Sequence, residues 1–295
     1  MTPRRKTGLR IGAYSLLILS LLAGASCGEK EAKDPAGAGT EGDGSLQADP
    51  LLADARAVGS LTMELRWADA SRQSQRVELF RDGRQVWARS GHRFAIESRV
   101  NEQASTRPVG QGVDDITGDG VPDLVIREFT GQPGRFVFIV VGLGPEVREI
   151  ATIEARHEGA FIDVNGDGRH EFVGTDWTFD GWKAPASSSP APRVVLTFEG
   201  GAYVLAPSLM QRPEPTPEQI EQLIIGVLRS NEWQGGNPPP ALWGTALDMM
   251  FSGHPELGWS FLELAWPEGQ AGYERFLGEF RAQLLKSPYA AALGL

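Results

Sequence analysis

At 295 residues and 41% hydrophobic content, the chain can fold as one or two domains around a sizeable core. Its 28 Lys and Arg residues face 38 Asp and Glu residues, a formal net charge of −10. A surface this acidic repels phosphate backbones, which sets nucleic acid aside as a partner, and it suits cations. The first segment reads as an export signal. Arg4, Arg5, Lys6 and Arg10 form a basic start, Ile11 to Leu22 an apolar core, and Ala23-Gly24-Ala25-Ser26 the small residues before a cleavage point. The apolar run is too short for a spanning helix. Removing residues 1–26, with four cations and no acid, leaves 24 basic against 38 acidic side chains, a net of −14.

Cys27, the only cysteine, follows these small residues directly. The arrangement resembles a bacterial lipoprotein signal. It departs from the usual pattern at Gly24, where a Leu-like residue is expected; Leu22 lies two positions too early. The resemblance implies that Cys27 is lipidated and becomes the first mature residue, with the membrane as partner and the cell envelope as location. Gly28 and Glu29 in place of an Asp point to the outer membrane. Secretion with cleavage nearby, or an uncleaved anchor, are the other readings of the same residues. A lipidated Cys27 leaves no thiol for a disulfide.

Residues 27–50 are rich in Gly, Ala, Asp and Glu and lack aromatics, so they form a flexible tether. As a coil it reaches on the order of 25 Å. From residue 61 the apolar period is two: Leu61, Met63, Leu65 and Trp67 alternate with polar residues, which predicts a half-buried strand. Val77–Phe80 and Gln85–Ala88 flank Asp82-Gly83, a tight-hairpin signal. Further strands are expected at Phe94–Val100, Leu124–Phe129, Phe136–Val141, Val147–Ile153, Glu171–Gly174, Arg193–Phe198 and Tyr203–Leu205. Ala184 to Pro192 reads as an exposed loop. After Pro207 the period becomes helical. Thr216-Pro217-Glu218-Gln219 is a capping box with Pro at the first helical position. Helices are expected from there through Leu228, from Ala241 to Phe251, Pro255 to Ala265 and Tyr273 to Leu285. The fold class is therefore α+β. An antiparallel β domain over 51–207, a sandwich or a partial propeller with two calcium-loop hairpins, precedes a small helical bundle over 208–295.

Two segments carry the functional signal. Asp115-Ile116-Thr117-Gly118-Asp119-Gly120-Val121-Pro122-Asp123 and Asp163-Val164-Asn165-Gly166-Asp167-Gly168-Arg169-His170-Glu171 align position by position. Acids stand at positions one, five and nine of each, and a neutral oxygen donor at position three. Calcium takes about six to eight oxygens, and side chains at alternate positions of a tight loop can converge on one ion. The carbonyls of Val121 and Arg169 add an oxygen each. An EF-hand would need Glu at position twelve, where Ile126 and Gly174 stand. Apolar strand residues follow both loops. Calcium loops between strands resemble the FG-GAP/VCBS repeats of integrin α-subunit propellers and bacterial surface proteins. The resemblance covers residues 112–175 and lacks the Phe-Gly…Gly-Ala-Pro signature. It implies that Asp115, Thr117, Asp119, Val121 and Asp123 hold one calcium ion, and Asp163, Asn165, Asp167, Arg169 and Glu171 a second. Two copies are too few for a closed propeller of about four to eight blades. The competing reading is that both are metal-free turns.

Catalytic patterns are weak. His92, His157, His170 and His254 form no zinc spacing, and there is no GxSxG elbow. Trp177, Phe179 and Trp182 in DWTFDGW could instead form a surface that stacks a sugar or peptide; core packing is the competing use. The sequence thus points to a membrane-tethered calcium-binding module with a protein or glycan partner. The alternative is an exported hydrolase with an acidic, metal-bearing cleft.

Overall fold

The structure, a computed structural model, describes residues 49–96, 113–156, 159–235 and 238–295. The expected signal, Cys27 and nearly all of the tether lie outside the described residues, as does the end of the strand expected through Val100.

Among the described residues three antiparallel sheets are built from consecutive strands. The first holds β1 (Leu52–Val58), β2 (Leu61–Trp67), β3 (Gln75–Arg81) and β4 (Arg84–Gly91) in sequence order. The β3–β4 turn is the expected one, with Asp82 at φ 51° and Gly83 at φ 75°. Two consecutive positive φ angles match the right-handed twist of the flanking strands. The second sheet holds β5 (Arg93–Ile96), β6 (Val113–Asp114), β7 (Asp123–Phe129), β8 (Arg135–Gly142) and β9 (Arg148–Arg156), with both β5 and β6 paired to β7. The third holds β10 (Ala160–Ile162), β11 (Glu171–Thr175), β12 (Arg193–Glu199) and β13 (Ala202–Leu205) in order. Strands β1, β6 and β10 are absent from the expectations. The first is largely exposed, and the other two have only two and three residues, too few for a period to show.

Sheet two is buried on both faces. Leu124, Ile126, Ile139 and Val141 pack toward sheet one, against Met63, Val77 and Leu79. The alternate residues Val125, Phe138 and Val140 pack toward sheet three, against Phe161, Phe172 and Leu196. Alternation along a strand sends neighbours to opposite faces, so a strand covered twice reads as one continuous apolar run. Phe138, Phe161 and Phe172 meet edge to face, with centroids 5.2–6.0 Å apart. Gln75, buried in sheet one, accepts a 2.7 Å hydrogen bond from the Phe94 amide and ties the first two sheets together.

Among the described residues five α-helices follow: α1 (Pro207–Met210), α2 (Pro217–Leu228), α3 (Pro240–Phe251), α4 (Pro255–Leu264) and α5 (Tyr273–Leu284). The capping box on α2 is present, with Gln219 N donating to Thr216 Oγ1 at 3.3 Å and Thr216 N to Gln219 Oε1 at 2.8 Å. Only part of the α2 stripe is covered. Val227 is buried and Ile220 and Ile224 join the core, while Leu223 and Leu228 stay exposed. The helices do not own a separate core. Val194 and Val195 of sheet three and Phe179 from the loop after β11 are buried together with Trp243, Leu247, Phe276 and Phe280. The boundary expected at 207/208 therefore runs through a hydrophobic core. Sheets and helices belong to one compact unit, residues 48–295.

Gly258 marks a close contact between α4 and α3. A Cβ there would lie 2.7 Å from the Ala246 carbonyl and 2.6 Å from Met250 Cγ. Gly258→Ala should destabilise by about 1–3 kcal/mol, because overpacking outweighs the gain of about 1 kcal/mol in helix propensity. Urea unfolding checks this; a stabilised variant would refute the close approach.

Candidate functional site

The two acidic loops sit at equivalent places. The first joins β6 to β7, and the second joins β10 to β11; each pair is antiparallel. Each loop thus closes a hairpin that opens a four-strand meander, β6-β7-β8-β9 and β10-β11-β12-β13.

Their hydrogen bonds repeat residue by residue. In the first loop the Asp115 carboxylate accepts the amides of Gly118, Asp119 and Gly120 at 2.7, 3.1 and 2.9 Å. In the second the Asp163 carboxylate accepts those of Gly166, Asp167 and Gly168 at 2.7, 3.1 and 3.0 Å. Asp119 accepts Val121 N at 2.8 Å, and Asp167 accepts Arg169 N at 2.8 Å. The turn needs left-handed backbone at the same two positions: Gly118 and Gly166 at φ 72° and 78°, Gly120 and Gly168 at φ 84° and 88°. Glycine adopts that region without a steric penalty. Position nine reaches back in both: Asp123 Oδ2 accepts Ile116 N and Thr117 N at 3.1 Å, and Glu171 Oε2 accepts Val164 N at 2.9 Å.

Position three differs. Thr117 is buried and donates its hydroxyl to Asp123 Oδ2 at 3.0 Å. Asn165 is exposed and bonds Asp167 through both ends of its amide. The loops also touch one another. His170 N donates to Ile116 O at 2.9 Å, and the Arg169 side chain lies where a Cβ on Gly118 would be, 2.7 Å from Cγ. Tyr203 donates to His170 O at 3.2 Å. Burial first, then the nearby Asp123 and Glu171 carboxylates, push its phenol well above the ordinary range.

Among the described residues no three His, Cys, Asp or Glu side chains gather in metal-binding geometry. The loops also offer hydroxyl, amide and carbonyl oxygens, which such a grouping leaves out. The donor chemistry at Asp123 fits a cation. The residue is 1% exposed, and its Oδ1 is buried with no hydrogen-bond partner. Burial, opposed by Thr117 hydrogen bonds and aided by Asp119 and Asp115, raises its pKa to about 6. A buried carboxylate with one open oxygen and two acidic neighbours lacks positive charge. A hard cation would supply that charge. By contrast, the exposed Asp167 is held below the ordinary range by the Arg169 amide and then by Asn165.

A pH prediction follows from Asp123. Its folded pKa lies above the unfolded value of about 3.9, so the folded state holds the proton more tightly. That contribution is complete below about pH 4 and is lost as pH rises through about 6. In chelator, Asp123→Asn should therefore melt about 2–4 °C above the parent at pH 7.5, roughly 1 kcal/mol in a domain this size, and show no such gain at pH 4. A lower melting point at pH 7.5 would contradict the buried charge.

The aromatic segment divides. Phe179 is 1% exposed and therefore core, not ligand surface, and the half-buried Trp182 packs edge to face on both Phe179 and Trp243 at 5.2 and 5.3 Å. The reason is the helical bundle, which covers this side of sheet three. Trp177 alone of the three lines a cavity. That cavity, about 560 Å³, lies among the ends of β8, β9 and β11 and the segment Pro288-Tyr289. Arg135, Glu154 and Arg156 line it too, and sequence reasoning did not find them. They are isolated charges in strands, and only the direct pairing of Arg135 with Arg156 across β8 and β9 brings them together.

Among the described residues no helix is long and apolar enough to cross a membrane. No family model matches the chain, and no curated protein sequence matches it at a significant level.

Proposed function

We propose that the protein is an exported, lipid-anchored calcium-binding module of the cell envelope that serves as a binding or scaffold unit. The observation that carries this reading is the repeated loop: same strand context, positive-φ glycines at the same two positions, same amide bonds to the position-one acid. Asp115, Thr117, Asp119, Val121 and Asp123 would hold one calcium ion, and Asp163, Asn165, Asp167, Arg169 and Glu171 the other. Calcium would neutralise the acids of each loop and fix the two meanders against each other where His170 meets Ile116. In this reading the meanders are tandem FG-GAP/VCBS-like units in a partial-propeller stack, capped by the helices. The hydrolase alternative draws less support: Asp115 and Asp163 each accept three backbone amides and are engaged in shaping their own loops.

The anchor is tested in a bacterial host with labelled palmitate and fractionation of the envelope. The full chain should take up label and sediment with membranes, preferentially the outer one. Cys27→Ser should lose the label and move to the soluble envelope fraction. A Cys27→Ser chain that stays in the membrane would refute lipid anchoring.

A further inference from the structure

We propose that the cavity beside Trp177 binds a neutral oligosaccharide. The proposal rests on the binding role above and gives it a site, one that does not involve the acidic loops. At about 560 Å³ the cavity falls within the range of small-ligand sites, about 300–1,000 Å³. Its wall brings together two aromatic residues, Trp177 and Tyr289, and the planar polar groups of Gln132, Arg135, Glu154 and Asp180. Pyranose rings need this combination, because their C–H faces pack on aromatic rings while their hydroxyls both donate and accept.

The charges select against ions. Arg135 and Arg156 lie directly opposite one another on β8 and β9. Burial, then the proximity of Arg135, lowers the Arg156 pKa, as two adjacent cations require. Arg156 is ion-paired with Asp180, whereas Arg135 has no ion pair among the described residues. Glu154 stands on the same wall. Asp176 is already engaged, accepting Thr178 N at 2.8 Å and Ser287 Oγ at 2.5 Å. A phosphate would face Glu154 and Asp180; an ammonium would face the two arginines. A polyhydroxylated neutral ring can hydrogen-bond both signs without desolvating a charge of its own. Two further oxygens in the wall, Thr175 Oγ1 and Asp180 Oδ1, are buried without a hydrogen-bond partner. Such groups are uncommon in a finished interior.

The site extends. A second depression of about 650 Å³ runs along β9 and β13 and meets the first at Glu154, Pro288 and Tyr289. A chain of sugars, not a single ring, fits this layout.

The test uses the full chain, purified in detergent, and four trisaccharides built from glucose, galactose, mannose and N-acetylglucosamine. Glucuronate and glucosamine serve as charge controls. Titration calorimetry and saturation-transfer NMR should show at least one trisaccharide binding more tightly than either charged sugar. Trp177→Ala should weaken it by about tenfold, since a stacking face is lost. Glu154→Gln, an exposed change that leaves the fold intact, should weaken it several-fold. Absence of binding by all four, preference for glucuronate or glucosamine, or unchanged affinity in a normally melting Glu154→Gln protein would overturn the proposal. Saccharide binding without any calcium response would refute the calcium loops and leave this site standing; calcium response without saccharide binding would do the reverse.

Discussion

Trp243→Ala should lower the stability of the whole chain by about 3–5 kcal/mol, the usual range for deleting a large buried aromatic. Trp243 is fully buried on α3, with Trp182 5.3 Å away and Phe276 6.1 Å away. Trp182 in turn packs on Phe179 and Phe280. The indole is therefore the meeting point of the loop after β11, α3 and α5. Because Val194 and Val195 of β12 share this core, loss of the ring should loosen sheet three as well as the helices. Urea unfolding followed by far-ultraviolet circular dichroism and by tryptophan fluorescence should give coincident transitions at a lower midpoint. Two separated transitions, with the sheets unaffected, would show that the helices fold alone. For the same reason a fragment ending at residue 207 should expose Phe179, Val194 and Val195 and fail to stay soluble.

The second large effect is on the response to calcium. A ligand that binds only the folded state stabilises it by about 2.7 kcal/mol per site at a hundred times its dissociation constant. Two loops so occupied would contribute roughly 5 kcal/mol, a rise in melting temperature of about 10 °C or more. Asp119→Ala plus Asp167→Ala should abolish the rise. Both side chains are exposed; each accepts one backbone amide through Oδ1, from Val121 and Arg169, and Asp167 also accepts the Asn165 side-chain amide. In chelator the double variant should therefore lose only about 1–2 kcal/mol, the net worth of a few exposed bonds. A calcium response that survives the double substitution would place any ion elsewhere. Magnesium should substitute poorly, since it demands a tighter octahedral shell than these loops offer.

The sheets were legible where one face is buried and the other wet. Leu61, Met63 and Leu65 announce β2 by alternation, and Asp82-Gly83 announces the β3–β4 hairpin. Phe136 to Val141 showed burial but not its cause, because a run of six apolar residues looks alike between two sheets or inside a helix. The stacking that covers both faces is a long-range fact. The helices were legible from Pro and Thr punctuation, but their dependence on sheet three was not. Nothing in Val194 or Phe179 alone distinguishes a partner helix from a partner sheet. Among the site residues, the loops were visible because their spacing is local, within nine residues. The role of Asp123 as the buried, incompletely bonded member was not, since burial depends on β8 and on Tyr203 from another sheet. The cavity was least legible. Trp177 stood out by its aromatic neighbours, but Arg135, Glu154 and Tyr289 are scattered over more than 150 positions and converge only in three dimensions.

The most direct test of the central claim is equilibrium dialysis of the full chain against radioactive calcium, with the Asp119→Ala plus Asp167→Ala protein in parallel. Two ions per wild-type chain and none in the variant is the predicted result. Wild-type protein that retains no calcium at millimolar free ion would reduce both loops to hydrogen-bonded turns and contradict the account.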